Sequence, residues 1–333
     1  MLMIVGDYWT EEDENKGRPL SGSSGKLLAS MLAHKGIDMD KAYITCVFNQ
    51  RISDLKSRCG PKVEGISNYP PLFPNKYVPT KFAPELLRLF KEIRDVKPTC
   101  ILALGNVATW ALLKTPGIKK LRGAPLYYYA GLNQNVKILP TYHPTAVFKD
   151  YSLKPILHAD LDKLSEELKF PEIRRPQRHI WIEPSLDDLV RFEQEHLLSA
   201  SRLSIDIETS GTMITCIGFA PSPEVAIVVP FTSASSKDGS YWASIDEELR
   251  AIAWCRKWCN SPVAKVGQNF LYDMQHLWRN YGIRIGGHVD DTMLLHHALQ
   301  PELEKGLGFL GSIYTREASW KFMRHKETIK RED

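Results

Sequence analysis

The chain has 333 residues, 43% hydrophobic and 25% charged, with a formal net charge of +4. That length exceeds one ordinary core and suits two α/β domains, while the composition excludes a disordered, fibrous or membrane-spanning chain. The mild basic excess permits a polyanionic partner without announcing one.

The first half alternates strand and helix. Strand 2–5 ("LMIV") leads through a glycine-rich turn to helix 23–36 and strand 42–48 ("AYITCVF"). A long Pro-rich irregular span follows, then helix 83–96, strand 99–105, helix 106–114, strand 136–142 and a closing helix. Such alternation predicts a largely parallel sheet covered on both faces. Residues 170–180 ("FPEIRRPQRHI") combine two prolines with basic residues and mark the domain boundary. Beyond it lie strands 203–208, 214–220 and 225–231, helix 246–259, strand 264–269 and helix 270–282, a mixed sheet with flanking helices. The expected division is a first domain over 1–168, a basic Pro-rich linker over 169–179 and a second domain over 180–333. Cys46, Cys59, Cys100, Cys216, Cys255 and Cys259 contain no Cys-x-x-Cys pair, which argues against a zinc ribbon or disulfide framework and fits a reducing cytoplasm. The N-terminal "MLMIV" is too short for a signal segment, so a cytoplasmic location without a membrane partner is expected.

Asp206 and Glu208 lie in a strand that otherwise carries Leu203, Ile205 and Ile207. Residues two apart in a strand share a face, so the two acids project together and repel. A divalent cation removes that penalty, and hard oxygen ligands suit magnesium or manganese. The plainer alternative is that either acid caps a loop or pairs with a basic neighbour. Further along, "VGQNFLYDMQHL" runs a strand into Asn269 and a helix carrying Tyr272 and Asp273. Asp-x-Glu-Thr at a strand, then Asn-x-x-x-Asp opening a helix, resembles the first two motifs of the DEDD 3'-5' exonuclease superfamily, as in the proofreading domain of family A DNA polymerases. The resemblance implies a ribonuclease H-like mixed-sheet domain in which Asp206, Glu208 and Asp273 hold metal ions, while Asn269 and Tyr272 contact the DNA strand. Asp290 and Asp291 read as structural, and His296 with His297 as a helix face. The family's third motif, Tyr-x-x-x-Asp or its histidine variant, is not found: after Asp291 the only aspartate is Asp333. Weak or absent exonuclease activity is therefore expected of this polypeptide alone.

In the first domain, Asp7 follows a strand-end glycine, and Gly-Arg-Pro with a Gly-x-x-Gly turn leads into a helix, a pattern that favours phosphate only weakly. With "AYITCVF", "KPTCILALGNVATWALL", "GIKKLRG" and "ILPTYHPTAVF", it resembles the uracil-DNA glycosylase superfamily over about residues 3–165, closest to the family 4 type and its bacteriophage relatives. The resemblance implies an α/β/α sandwich that reads a base extruded from DNA. It assigns Asp7 to stabilising charge on the sugar or activating water and His143 to donating to the departing base. Arg18, Leu20, Gly22 and Gly25 match the loop after the acid, and Arg122 matches a later Arg-Gly element. A helix cap for Asp7 and a hydrogen-bonded loop residue for His143 are the bland alternatives.

Two departures put uracil selectivity in doubt. Leu20 stands where the family has a stacking aromatic, and Cys46 where it has an asparagine that bonds the uracil edge; a thiol lacks the paired amide donor and acceptor. Asn49 is the nearest substitute. The family 4 iron-sulfur cluster is not expected, because one cysteine position holds Gln50 and the N-terminal cysteines are absent. The expected function is a phage-type DNA-processing protein joining base recognition to a metal-dependent exonuclease-like domain. Its expected partners are single-stranded DNA or DNA with an extruded base and a polymerase or replisome protein, in the host cytoplasm if phage-encoded. The alternative is a catalytically degenerate DNA-binding or replisome-docking module. A phosphate-binding metabolic enzyme lacks the nucleotide fingerprint such folds need.

Overall fold

The computed structural model describes residues 1–128, 136–236 and 238–317. The described residues divide into two compact units: Met1–Arg174, joined again by residues 308–317, and Arg175–Leu307. The described residues from Gly308 group with the first unit, whereas the expected second domain ran over 180–333. The reason lies in polar bonds from Arg122 and Lys163 to Ser312, 190 and 149 residues distant. The run 319–333 lies outside the described residues.

In chain order the first unit contains β1 (Leu2–Trp9), α1 (Glu11–Lys16), α2 (Ser23–Ala33), β2 (Tyr43–Arg51), α3 (Leu55–Arg58), α4 (Ala83–Val96), β3 (Cys100–Leu104), α5 (Gly105–Leu113), α6 (Ile118–Leu121), β4 (Leu126–Tyr128), β5 (Val136–Thr141), α7 (Thr145–Lys149) and α8 (Leu153–Glu167). The sheet order is β2-β1-β3-β5-β4. All neighbours run parallel except the edge strand β4. Strand alternation explains the two-sided core. Met3 and Val5 of β1 face a cluster with Leu86, Leu89 and Ile93 of α4, whereas Leu2 and Ile4 face Leu28 and Leu32 of α2 and Leu157, Leu161 and Leu164 of α8. On α4 those apolar positions recur at helical spacing, and Pro84 in the first turn fits because its missing N–H has no partner there anyway. Leu89 is fully buried, and cutting it to Ala would cost about 2–5 kcal/mol.

The stretch after Asp7 contains helix α1, ahead of the glycine-rich turn. Thr10 caps it, accepting from the Asp13 N–H while Asp13 answers the Thr10 N–H. The Thr-x-x-acid signature was present in the sequence.

The second unit holds β6 (His179–Trp181), α9 (Leu186–Phe192), β7 (Arg202–Ser210), β8 (Met213–Ala220), β9 (Val225–Pro230), α10 (Ile245–Asn260), β10 (Ala264–Gly267), α11 (Leu271–Tyr281), β11 (Val289–Asp291) and α12 (Thr292–Leu299); α13 (Leu307–Tyr314) opens the returning tail. Its sheet is mixed, in the order β11-β10-β7-β8-β9-β6, with an antiparallel meander β7-β8-β9. Leu203, Ile205 and Ile207 of β7 enter a core with Ala251, Cys255 and Trp258 of α10 and Leu277 of α11. Asp206 and Glu208 take the alternate, exposed positions. No helix among the described residues is long and apolar enough to cross a membrane.

Candidate functional site

In the first unit β1 pairs with β2 on one side and β3 on the other, both in parallel. The chain leaves β1 toward β2 and the neighbouring β3 toward β5, in opposite directions, which opens a crevice at the carboxyl ends of the strands where open α/β sheets bind ligands. Asp7 occupies that point. Its pairing with β3 ends at Val5, and its Oδ1 accepts the Ala108 N–H of α5 at 3.0 Å. Gly105, at φ 89°, lets the chain turn from β3 into α5 here, and a Cβ on it would lie 2.9 Å from Asp7 Oδ2. Burial pushes the Asp7 carboxyl up to about 7, against the opposing hydrogen bonds from Ala108 and Val107.

His143 follows β5, two residues beyond Thr141. Its Nδ1 lies 2.8 Å from Thr145 Oγ1 and accepts the Thr145 N–H at 3.3 Å. An Nδ1 that accepts leaves the ring proton on Nε2. Burial pushes the imidazole down to about 4, opposed by the nearby Asp13 carboxylate. His143 is therefore a neutral Nε2–H donor near pH 7.

Leu20 is buried with a left-handed backbone, φ 52°. Its carbonyl O would lie 1.6 Å from a Cβ on Gly25, so this approach requires glycine. Gly22, buried, caps α2, and Arg18 is exposed. A Cβ built on Gly6 would touch both Cys46 Sγ and Leu20 Cδ2, at 3.0 and 3.9 Å, so these side chains wall one spot beside Asp7. Cys46 is buried and its thiol is pushed up well beyond the ordinary range by burial and then by Asp7, so it stays a neutral S–H. Asn49 does not fill the missing amide's place. Its Oδ1 accepts from Trp9 Nε1 at 3.2 Å, the Cys46 N–H at 3.1 Å and Thr45 Oγ1 at 3.4 Å, and its Nδ2 donates to Thr45 Oγ1 at 3.3 Å. Arg88, which sequence reading missed, donates to the carbonyls of Cys46 and Val47 at 2.7 and 3.0 Å and locks this strand end.

Arg122, expected as a substrate contact, is buried and paired with Asp160. It is only 2% exposed, its Nε donates to Asp160 Oδ2 at 2.9 Å, its Nη2 bonds Asp160 Oδ1, and its Nη1 donates to Ser312 Oγ at 2.7 Å. Thr141 Oγ1 donates to the same carboxylate at 2.6 Å, and Lys163 Nζ donates to the carbonyls of Gly123 and Ser312. These bonds hold the Arg122 guanidinium inside the protein.

In the second unit β10 pairs with β7 only as far as Ser204. Beyond that point the Ile207 N–H donates to Asp273 Oδ1 at 3.0 Å, so Asp273 of α11 supplies an acceptor to β7 where β10 no longer pairs with it. Burial, and then the charges of Asp206 and Asp291, push its carboxyl up to about 6, with the Ile207 bond opposing. Of the sequence-predicted acids, Asp206 acts on Asp273 electrostatically. They do not form a ready cage: among the described residues no three His, Cys, Asp or Glu side chains are placed to hold a metal ion. All-carboxylate donors are the right chemistry for magnesium or manganese, but the arrangement with Asp273 turned to the backbone does not fit one. Tyr272 is exposed, its hydroxyl 2.8 Å from Thr209 Oγ1 and its ring 4.5 Å from that of His276. Asn269 takes a left-handed backbone, φ 55°, because its N–H and that of Phe270 both donate to Asp291, at 3.0 and 2.8 Å. Asp291 also caps α12 through the Met293 N–H, so its role is structural.

Comparison with known proteins follows the same division. A type-4 uracil-DNA glycosylase of Sulfurisphaera tokodaii is 27% identical over 171 residues, covering 50% of this chain and 69% of that protein. A DNA polymerase of Bacillus phage SP01 is 27% identical over 219 residues, covering 63% of this chain but 21% of the polymerase. Among solved structures, the EXD2 exonuclease domain soaked in Mn and GMP aligns with a TM-score of 0.28 and 15% identity, over 40% of this chain and 68% of that one, a likeness too slight to build on. The profile of the uracil DNA glycosylase superfamily matches residues 1–169, the strands and helices that carry Asp7 and His143. The chain belongs to the uracil DNA glycosylase superfamily.

Proposed function

We propose that the first unit binds DNA with one base turned out of the stack and cleaves that base's N-glycosidic bond. The observation that carries this reading is Asp7 at the sheet's switch point, its carboxylate fixed by the first turn of α5. In its ionised form Asp7 stabilises positive charge developing on the sugar or takes a proton from attacking water. His143 donates its Nε2 proton to the departing base, the N–H of Thr145 holding the ring in that tautomer. Turning a base out costs a few kcal/mol, least where the base is mismatched, so mispaired positions and single strands are the favoured substrates.

The pocket does not read uracil as an asparagine would. Cys46 offers only a weak donor, and the Asn49 amide is spent on Trp9, Thr45 and Cys46. We therefore assign the unit a base preference broader than uracil. Comparing base release from single-uracil and single-hypoxanthine DNA by the wild type, Asp7→Asn and Cys46→Asn tests this. Release by the wild type that Asp7→Asn abolishes, and that Cys46→Asn narrows toward uracil, supports the reading; wild-type release confined to uracil overturns the broad preference, and release from neither DNA overturns the glycosylase assignment.

We read the second unit as an exonuclease-type fold that holds a DNA strand, Asp206 and Glu208 presenting a two-carboxylate face and Tyr272 a stacking surface. With Asp273 turned to the Ile207 N–H, this chain is assigned weak or absent 3'-5' trimming. Stepwise shortening of labelled single-stranded DNA with manganese would refute that. Similarity to the phage polymerase supports a place beside DNA synthesis in the cytoplasm of an infected host.

A further inference from the structure

We infer that Asp13 is a positioning residue for the base pocket, its carboxylate tying the start of α1 to the loop that carries Leu20. The inference rests on the base-binding reading above and adds a residue to it. Asp13 is 3% exposed, yet neither the metal face nor the Asp7–His143 pair uses it. Its two oxygens divide between two segments. Oδ2 accepts from the Thr10 N–H at 2.9 Å and Thr10 Oγ1 at 2.7 Å; Oδ1 accepts from the Ser21 N–H at 2.7 Å and Ser21 Oγ at 2.9 Å.

A capping box requires only the Thr10 half of that set. The Ser21 half fixes the residue next to Leu20, whose left-handed backbone is uphill for a branched side chain and persists only where neighbours over-determine it. Three further contacts close the loop: the Arg18 N–H donates to the Asp13 carbonyl at 3.2 Å, Lys16 Nζ donates to the Ser21 carbonyl at 3.0 Å, and Gly25 abuts the Leu20 carbonyl. Leu20 is thereby held toward Gly6 and Cys46, the wall beside Asp7. Burial opposes the Asp13 charge, but the hydrogen bonds from Thr10 and Ser21 outweigh it and hold the carboxyl below its ordinary range. The fixed negative charge of Asp13 also acts on His143 and Cys46.

Fluorescence anisotropy with the full chain tests this on two probes, a duplex with one mismatched uracil and the same duplex fully paired, for the wild type, Asp13→Asn and Ser21→Ala. The milder Ser21→Ala keeps the helix cap and the Ser21 N–H bond, so it remains informative if Asp13→Asn unfolds. The expected result is that preference for the mismatched duplex falls at least fivefold in Ser21→Ala, more in Asp13→Asn, with paired-duplex affinity unchanged; Asp13→Glu restores part of it. Both variants melting lower with full mismatch preference would overturn the inference and leave Asp13 a helix cap. A wild type with no preference for the mismatched duplex would instead overturn the base-binding reading, and this inference with it.

Discussion

Asp7 and Asp273 are two acids in similar mechanical settings with different electrical ones. Each accepts a backbone N–H where a parallel strand pairing has ended, Asp7 from Ala108 and Asp273 from Ile207. Each carboxyl is raised, to about 7 and about 6, with burial as the first cause. The difference is in the company. The groups opposing burial at Asp7 are backbone N–H donors, whereas Asp206 and Asp291 add like charge at Asp273. A lone buried acid poised near neutrality suits proton chemistry, and a crowded one is built to gain from a counter-charge.

The largest effect expected from breaking this comparison is at Asp7. Asp7→Asn should lower base release by on the order of 10²–10⁴-fold. If the ionised form acts, wild-type release rises with pH and levels off above about 7, which a rate profile between pH 5 and 9 would show. The stability effect has the opposite sign. A carboxyl raised in the folded state binds protons more tightly there than in the unfolded chain, so stability falls as pH climbs from 3.8 toward about 7 and stays reduced above. Asp7→Asn should therefore melt higher than the wild type at pH 8. Roughly 2 kcal/mol is reasonable, half of what the full shift converts to, because the side chain keeps some solvent contact. A gain that is full at pH 8, smaller at pH 5 and gone near pH 3 would tie the cost to the charge.

Next in size is Arg122→Ala. Removing the guanidinium leaves Asp160 buried with its carboxyl already raised by burial, and an unpaired buried charge costs about 3–5 kcal/mol. Chemical denaturation should show that loss, with paired-DNA affinity retained in the folded fraction. Loss of DNA affinity without loss of stability would return Arg122 to the binding surface.

Manganese sharpens the other side of the comparison. With Asp273 committed to Ile207, the Asp206 and Glu208 face should bind the ion no tighter than about 1 mM, so 1 mM manganese stabilises by less than about 0.5 kcal/mol. Calorimetry on the wild type and Asp206→Asn would check it. A micromolar constant that Asp206→Asn abolishes would show the acids closing on a cation.

Much of this was legible in residue order. Alternating strands and helices gave the first sheet, and period two put Asp206 and Glu208 on the exposed side of their strand, because such patterns are local. Arg122 misled because its partners, Asp160 and Ser312, lie 38 and 190 residues away, and nothing near Arg122 announces a buried ion pair. The same distance hid the return of the tail to the first unit. Asp13 was missed for another reason: Thr10 and Asp13 carry a visible capping signature, but its second half depends on Ser21 across a turn.

Asn49 gives the smallest and most discriminating test of the glycosylase side. By residue type it was the nearest replacement for the amide that Cys46 lacks, and only the structure shows its oxygen already accepting from Trp9, Cys46 and Thr45. An amide that serves its own strand end contributes to folding, not to base choice. Asn49→Ala should therefore cost about 1–2 kcal/mol of stability, the net of its weak neutral hydrogen bonds, and leave the ratio of base-release rates between uracil and hypoxanthine within about twofold. Cys46→Asn should move that ratio by about tenfold or more, since a single well-made hydrogen bond to a base edge is worth at least one such factor. If the two variants exchange these outcomes, Asn49 reads the base, and the pocket wall lies on the opposite side of β2 from the one assigned by Gly6, Leu20 and Cys46.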